Sequence, residues 1–305
     1  MKTAQRGMLL LKILLTFSLL YMVFRYVDVG TVWQRMMAVN PWYLIASWLC
    51  IVVGYFLCGL RWAWMAEGLG IKISRRRKIR LYFLGMFTSL FLPSTIGGDV
   101  VRGVLLAKGE GRQGIGLPAA ASVILDRLNG MYALILLLSI SMFFFSWPRA
   151  WWISWMFLVV SMWLLLLLYP WIHARLPGWF EKIKQLPLDT KTFQLMWWKS
   201  LPVSFVFQVM VVQAHVFLAM GVGLEMNWAA ISIMVGLVAL VATLPISLNG
   251  FGIREAGYVG FAVYFGASSE SATAMAALWI IVLSLAALPG AFILWRLGGL
   301  KALKS

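Results

Sequence analysis

Two short segments place ionisable residues inside otherwise apolar sequence. The first is Pro93-Ser-Thr-Ile-Gly-Gly-Asp-Val-Val-Arg102. The second is Pro245-Ile-Ser-Leu-Asn-Gly-Phe-Gly-Ile-Arg254, with Glu255 directly after it. A charge at membrane depth costs roughly 2.5–3.5 kcal/mol, so each one retained there points to a partner or a task. Asp99 and Arg102, three apart, can pair on one helical face. Asp126 and Arg127 lie just inside the next apolar stretch. Arg102, Arg254 and Arg127 could together line a cationic pocket. Gly97, Gly98 and the Asn249-Gly250 pair let backbone approach a ligand closely, and the helix starts that follow would aim partial positive charge at it. Ser94, Thr95 and Ser247 add hydroxyls. Guanidinium groups, helix N-termini and hydroxyls together suit a phosphate. In so apolar a chain, that suggests the head group of a phospholipid or polyprenyl phosphate. Plainer readings stand beside this one: an Asp99–Arg102 structural pair, Asp99 as a helix cap, and Arg127 snorkelling to the interface.

Other chemistries find less support. Asp99, Asp126 and Glu255 could act as acid and base, but no His/Ser/Cys nucleophile arrangement or metal-spaced cluster accompanies them. No GxxxxGK[ST] loop is present, so ATP hydrolysis by this chain is not expected, nor is any cofactor. Cys50 and Cys58 both sit in one apolar run and read as packing residues.

The elements that position these residues follow from composition. Of 305 residues, 62% are hydrophobic and 12% charged, far from the balance of a soluble domain. The chain reads as an all-α polytopic membrane protein. Six stretches are long enough to cross a bilayer: Met8–Val27, Trp42–Ala66, Pro118–Trp147, Trp151–Pro170, Leu201–Gly221 and Ala272–Trp295. The stretches 81–107 and 229–266 differ. Each has an apolar arm of roughly 16 residues, then the Pro/Gly break, then a shorter return arm, too little chain for two comfortable crossings. Both are expected to be re-entrant hairpins, whose broken backbone is tolerated where protein or water surrounds it. The 174–199 segment, with Trp179, Phe180, Phe193 and Trp197 among lysines, reads as an amphipathic element on the inner surface.

The formal charge of +16 fits this topology. With the N-terminus inside, Lys2 and Arg6, the basic Lys72–Arg80 loop, the lysines between 182 and 199, and the tail with Arg296, Lys301 and Lys304 all fall in the cytoplasm. Both termini are then cytoplasmic, in an inner membrane. The positive charge faces anionic lipid, not nucleic acid.

The two breaks also match each other. Leu92-Pro93 aligns with Leu244-Pro245, Gly98 with Gly250, and Arg102 with Arg254, at one offset of 152 residues. This points to duplication: residues 1–147 as a first repeat and 148–305 as a second, each of span, span, hairpin, span. Three crossings per unit make the second inverted, so the first hairpin opens to the cytoplasm and the second to the outside. Inverted repeats with broken helices meeting near the midplane are an architecture of secondary transporters.

The break sequence 93–102, Leu125-Asp-Arg-Leu128 and Asn249-Gly-Phe-Gly-Ile-Arg-Glu255, in that order, resemble the flippase-like membrane domain of lysylphosphatidylglycerol synthases. The family also occurs as standalone proteins. The resemblance covers nearly the whole chain and implies movement of lipid between leaflets, with Gly98, Asp99, Arg102, Asp126, Arg127, Arg254 and Glu255 as the positions matching its motifs. No aminoacyl-transferase domain follows the last span, so any synthase partner is expected to be a separate chain. The leading expectation is a non-enzymatic lipid translocase. A membrane scaffold for a lipid-modifying synthase is the second reading, and an enzyme on a lipid-linked substrate the third.

Overall fold

A computed structural model describes residues 2–92, 97–111, 114–145, 149–168, 190–244 and 250–297, with 175, 186 and 247 singly. Within them the chain is helical, without strands. The helices are α1 (Lys2–Tyr26), α2 (Val29–Met37), α3 (Pro41–Gly68), α4 (Arg75–Phe91), α5 (Gly97–Glu110), α6 (Gly116–Met142), α7 (Arg149–Leu167), α8 (Thr190–Val222), α9 (Trp228–Ala242), α10 (Ile253–Tyr264) and α11 (Ser269–Arg296).

Four of these, α3, α6, α8 and α11, are long and apolar enough to cross a membrane by themselves. Their ends carry local signals. Asn40 caps α3 through its side chain, with Pro41 in the first turn, and Ser268 caps α11. Residues 13–25 of α1 and helix α2 form a further apolar pair, bent by 87° where Asp28 caps α2. The chain is thus an integral, all-helical membrane protein.

Several boundaries differ from the sequence reading. The basic stretch is helical from Arg75, because α4 starts there and not at Leu81; Lys78 buries its stem and donates Nζ to the Ile71 carbonyl at 3.0 Å. The return arm α5 begins at Gly97, inside the break itself. Residues 190–199 continue into α8 as one helix and form no separate surface element; most of 174–189 lies outside the described residues. The expected Pro118–Trp147 stretch ends as helix at Met142.

Elements recur along the chain. Helices α8, α9, α10 and α11 begin 149, 153, 156 and 153 residues after α3, α4, α5 and α6. The packing recurs as well. α3 packs on α8, and each of the other extensive contacts among these eight helices has a counterpart. α3–α4 matches α8–α9, and α4–α5 matches α9–α10. α5–α6 matches α10–α11, α3–α6 matches α8–α11, α3–α11 matches α8–α6, and α4–α11 matches α9–α6. The closest approaches follow the same exchange. Gly290 of α11 lies against the Phe83 carbonyl of α4, while Gly236 of α9 lies against Leu138 of α6. α3 and α8 run antiparallel, since Gly221 meets Val39 and Tyr43, Gly54 meets Phe207, and Gly68 meets Met196. Two antiparallel helices exchanged by a two-fold rotation require an axis perpendicular to both.

Candidate functional site

At the first break, α5 presents Asp99 and Arg102 one turn apart, and the pairing that this spacing allows is made. Arg102 Nε donates to Asp99 Oδ1 at 2.9 Å. Its Nη2 donates to Asp126 Oδ2 of α6 at 2.8 Å. The other Asp126 oxygen takes Nε and Nη2 of Arg61, from α3, at 2.8 and 2.7 Å. Arg127 of α6 closes the group by donating Nε to Asp99. Arg61 Nη1 reaches Ser204 of α8 at 2.8 Å, and Ser204 bonds Asn129 in turn. Three arginines and two aspartates thus tie α3, α5, α6 and α8 together.

Four of the five charged residues are 4% exposed or less; only the Arg127 side chain reaches 40%. Buried ions demand such pairing, because a lone one is strongly destabilising. Aromatic rings cover the Arg102 guanidinium: its carbon stands 4.7 Å from the Trp62 ring and 4.8 Å from the Tyr82 ring. Trp62 is fixed by its indole N–H on Ser122 at 3.1 Å. Arg102 Nη1 is buried with no hydrogen-bond partner among the described residues.

The second break is built differently. Gly250 and Gly252 turn the chain with φ of +82° and +80°, where a side chain would be strained. Glu255 accepts the Gly252 N–H at 2.6 Å, so it caps the start of α10. Arg254 has no carboxylate within ion-pair distance among the described residues. Within its electrostatic reach are Tyr55 of α3, His215 of α8, and Glu255 and Tyr258 of α10. His215 sits 2.8 Å from the Val211 carbonyl through Nδ1 and 3.0 Å from the Tyr258 hydroxyl through Nε2. A carbonyl only accepts, so Nδ1 carries a proton, while the Tyr258 hydroxyl serves Nε2. Ser247 is buried, and its hydroxyl has no partner among the described residues.

Tyr55 connects the two regions, with its ring 6.5 Å from that of Tyr82, which in turn covers Arg102. Arg102 and Arg254 share no partner among the described residues. Gly97, Gly98, Asp99, Arg102, Asp126 and Arg127 therefore lie at the first break, and Ser247, Gly250, Arg254 and Glu255 at the second. Ser94, Thr95 and Asn249 lie outside the described residues.

Gly98 has a packing task. A Cβ there would stand 2.0 Å from the Gly85 carbonyl oxygen and from Ser89 Oγ, so the glycine lets α5 press against α4. Arg61 is the residue that sequence reasoning missed. Its signal was a lone arginine in the apolar stretch that becomes α3. Among the described residues, no group of His, Cys, Asp and Glu could hold a metal ion.

Residues 9–290 match the family described as the lysylphosphatidylglycerol synthase transmembrane region. The chain belongs to this family. Within curated proteins, an archaeal relative described as a UPF0104 membrane protein, from Archaeoglobus fulgidus, is 27% identical over 122 residues. That match covers 39% of this chain and 36% of the relative's length. Membership agrees with the resemblance read from the three motifs and with the all-helical membrane fold.

Proposed function

We propose that this protein moves a phosphate-bearing lipid between membrane leaflets, capturing the head group at the second break and passing it by the first. One observation carries the reading. Arg254 stands at a broken helix with no carboxylate partner among the described residues, and the buried Ser247 hydroxyl in the same break also lacks one. A cation and a donor left open at a helix start suit an incoming phosphate. Membership of the lysylphosphatidylglycerol synthase transmembrane family favours lipid as its carrier.

The proposed architecture is an inverted repeat of residues 1–147 and 148–305. α1, α3, α6, α7, α8 and α11 are the six spans, and α4–α5 and α9–α10 the re-entrant hairpins. The recurring contacts and the antiparallel α3–α8 pair support it, because the axis they imply lies across the spans. Hairpin helices of 17, 14, 15 and 12 residues are also short for full crossings, which need about 20. The loop charges put both termini in the cytoplasm, the first hairpin opening inward and the second outward. Transport is proposed to proceed without chemistry on the lipid.

The test is movement of fluorescent phosphatidylglycerol in proteoliposomes. Wild-type protein is expected to accelerate transfer between leaflets. Arg254→Gln should lower the rate about tenfold, the worth of one charge-assisted hydrogen bond. Wild-type vesicles no faster than protein-free ones would overturn the proposal and leave a scaffold for a separate lipid-modifying synthase as the reading.

A further inference from the structure

We propose that the basic cluster at the mouth of the first hairpin is a docking surface for anionic phospholipid of the cytoplasmic leaflet. Its side chains are Arg76, Arg77 and Arg80 at the start of α4 and Lys108 near the end of α5, all exposed. Its part in transport rests on the lipid-transport reading above, whereas its lipid binding stands on these residues alone.

The fold gathers these charges. Arg80 follows Arg76 by four residues and Arg77 by three, so the three side chains share one face of α4. The end of α5 lies beside them. Glu110 accepts the Lys72 and Ile73 N–H groups at 3.2 and 3.0 Å, and a Cβ at Gly109 would stand 2.8 Å from Arg77 Nη2. From Leu81 onward α4 carries no charged residue, so the cluster sits where the helix leaves the hydrocarbon, at head-group depth. Along α5, Gly109 is two turns, about 10 Å, from Arg102 of the first break.

The local acids are already engaged. Glu67 pairs with Arg75 at 2.8 Å and Lys78 at 3.5 Å, and Glu110 is turned to backbone. Among the described residues, no carboxylate lies within ion-pair distance of Arg76, Arg77, Arg80 or Lys108. Arginines at a helix start also oppose the helix dipole; the first turn of α4 holds no acid, and Ser74 makes no side-chain cap bond. An anion held by these guanidinium groups relieves both. Exposed basic charge at this depth meets lipid phosphates, and a polybasic surface favours anionic over zwitterionic lipid.

Native mass spectrometry of the detergent-solubilised full chain, titrated with phosphatidylglycerol and with phosphatidylcholine, tests this. Wild type is expected to prefer phosphatidylglycerol. A basic residue near the lipid surface is worth roughly fivefold, so Arg76→Gln, Arg77→Gln and Arg80→Gln together should cut that preference at least about tenfold. Arg76→Lys, Arg77→Lys and Arg80→Lys together should keep most of it, because the surface reads charge. Raising ammonium acetate about tenfold should weaken the wild-type preference, since exposed charges are screened.

Wild-type preference in the glutamine variant, or equal loss in the lysine variant, overturns the proposal. Should the glutamine variant not fold, the salt series on wild type decides, and a preference that salt leaves constant refutes the surface. Inorganic phosphate competing as well as the lipid marks a free-anion site and overturns the lipid assignment. Preference lost with Arg254→Gln but kept in the glutamine variant removes this surface and leaves the transport reading standing. No phospholipid binding by wild type removes both.

Discussion

The two broken helices carry an arginine at matched positions, 102 and 254, in opposite electrostatic settings. Arg102 is held by two carboxylates and two aromatic rings. Arg254 lies within electrostatic reach of two tyrosines, His215 and Glu255, with no carboxylate within ion-pair distance among the described residues. The sequence accounts for the difference. At the offset of 152 residues, Asp99, Asp126, Arg127 and Arg61 correspond to Phe251, Leu278, Trp279 and Gln213. One break has gathered its counter-ions and with them a rigid tie across four helices. The other break joins no such network among the described residues. An arginine at a helix break therefore reads as a binding group or as a structural one only once its carboxylates are placed.

The largest expected effect falls on the first break. Asp126→Ala leaves Arg61 and Arg102 without their shared counter-ion and should destabilise the protein by about 3–5 kcal/mol. A thermal melt of the detergent-solubilised protein reads it directly, and a small shift would mean that the network is not holding the helices. Gly98→Ala comes next, at about 1–3 kcal/mol, because its Cβ would overlap the α4 backbone.

Effects at the second break should be smaller. Tyr258→Phe removes the hydroxyl that serves His215 Nε2, for about 1 kcal/mol. Arg254→Gln breaks no ion pair among the described residues and should change stability by less than about 1 kcal/mol. A large destabilisation by Arg254→Gln would erase the contrast and make both arginines structural.

The helical, membrane-embedded character could be read from composition and apolar run length, since both act residue by residue. The pairing of Asp99 with Arg102 was legible for the same reason, because three residues on a helix fix a shared face. Helix ends were less so: α4 begins among arginines because Lys78 and its neighbours find partners in the 67–75 turn, which no hydropathy window records. The role of Arg61 was not legible. It depends on α3, α5, α6 and α8 meeting at one point, and Asp126 gives no sign in the sequence of which arginines it will serve. The packing use of Gly98 was hidden in the same way, as the glycine signals freedom of the backbone but not what approaches it.

The central claim is that Arg254 receives a lipid phosphate. Mass spectrometry of the lipids that copurify with wild-type and Arg254→Gln protein tests it most directly. A phosphate-bearing class enriched over the source membrane in wild type and sharply reduced in Arg254→Gln is the predicted result. A lipid profile that is the same in both proteins would contradict it.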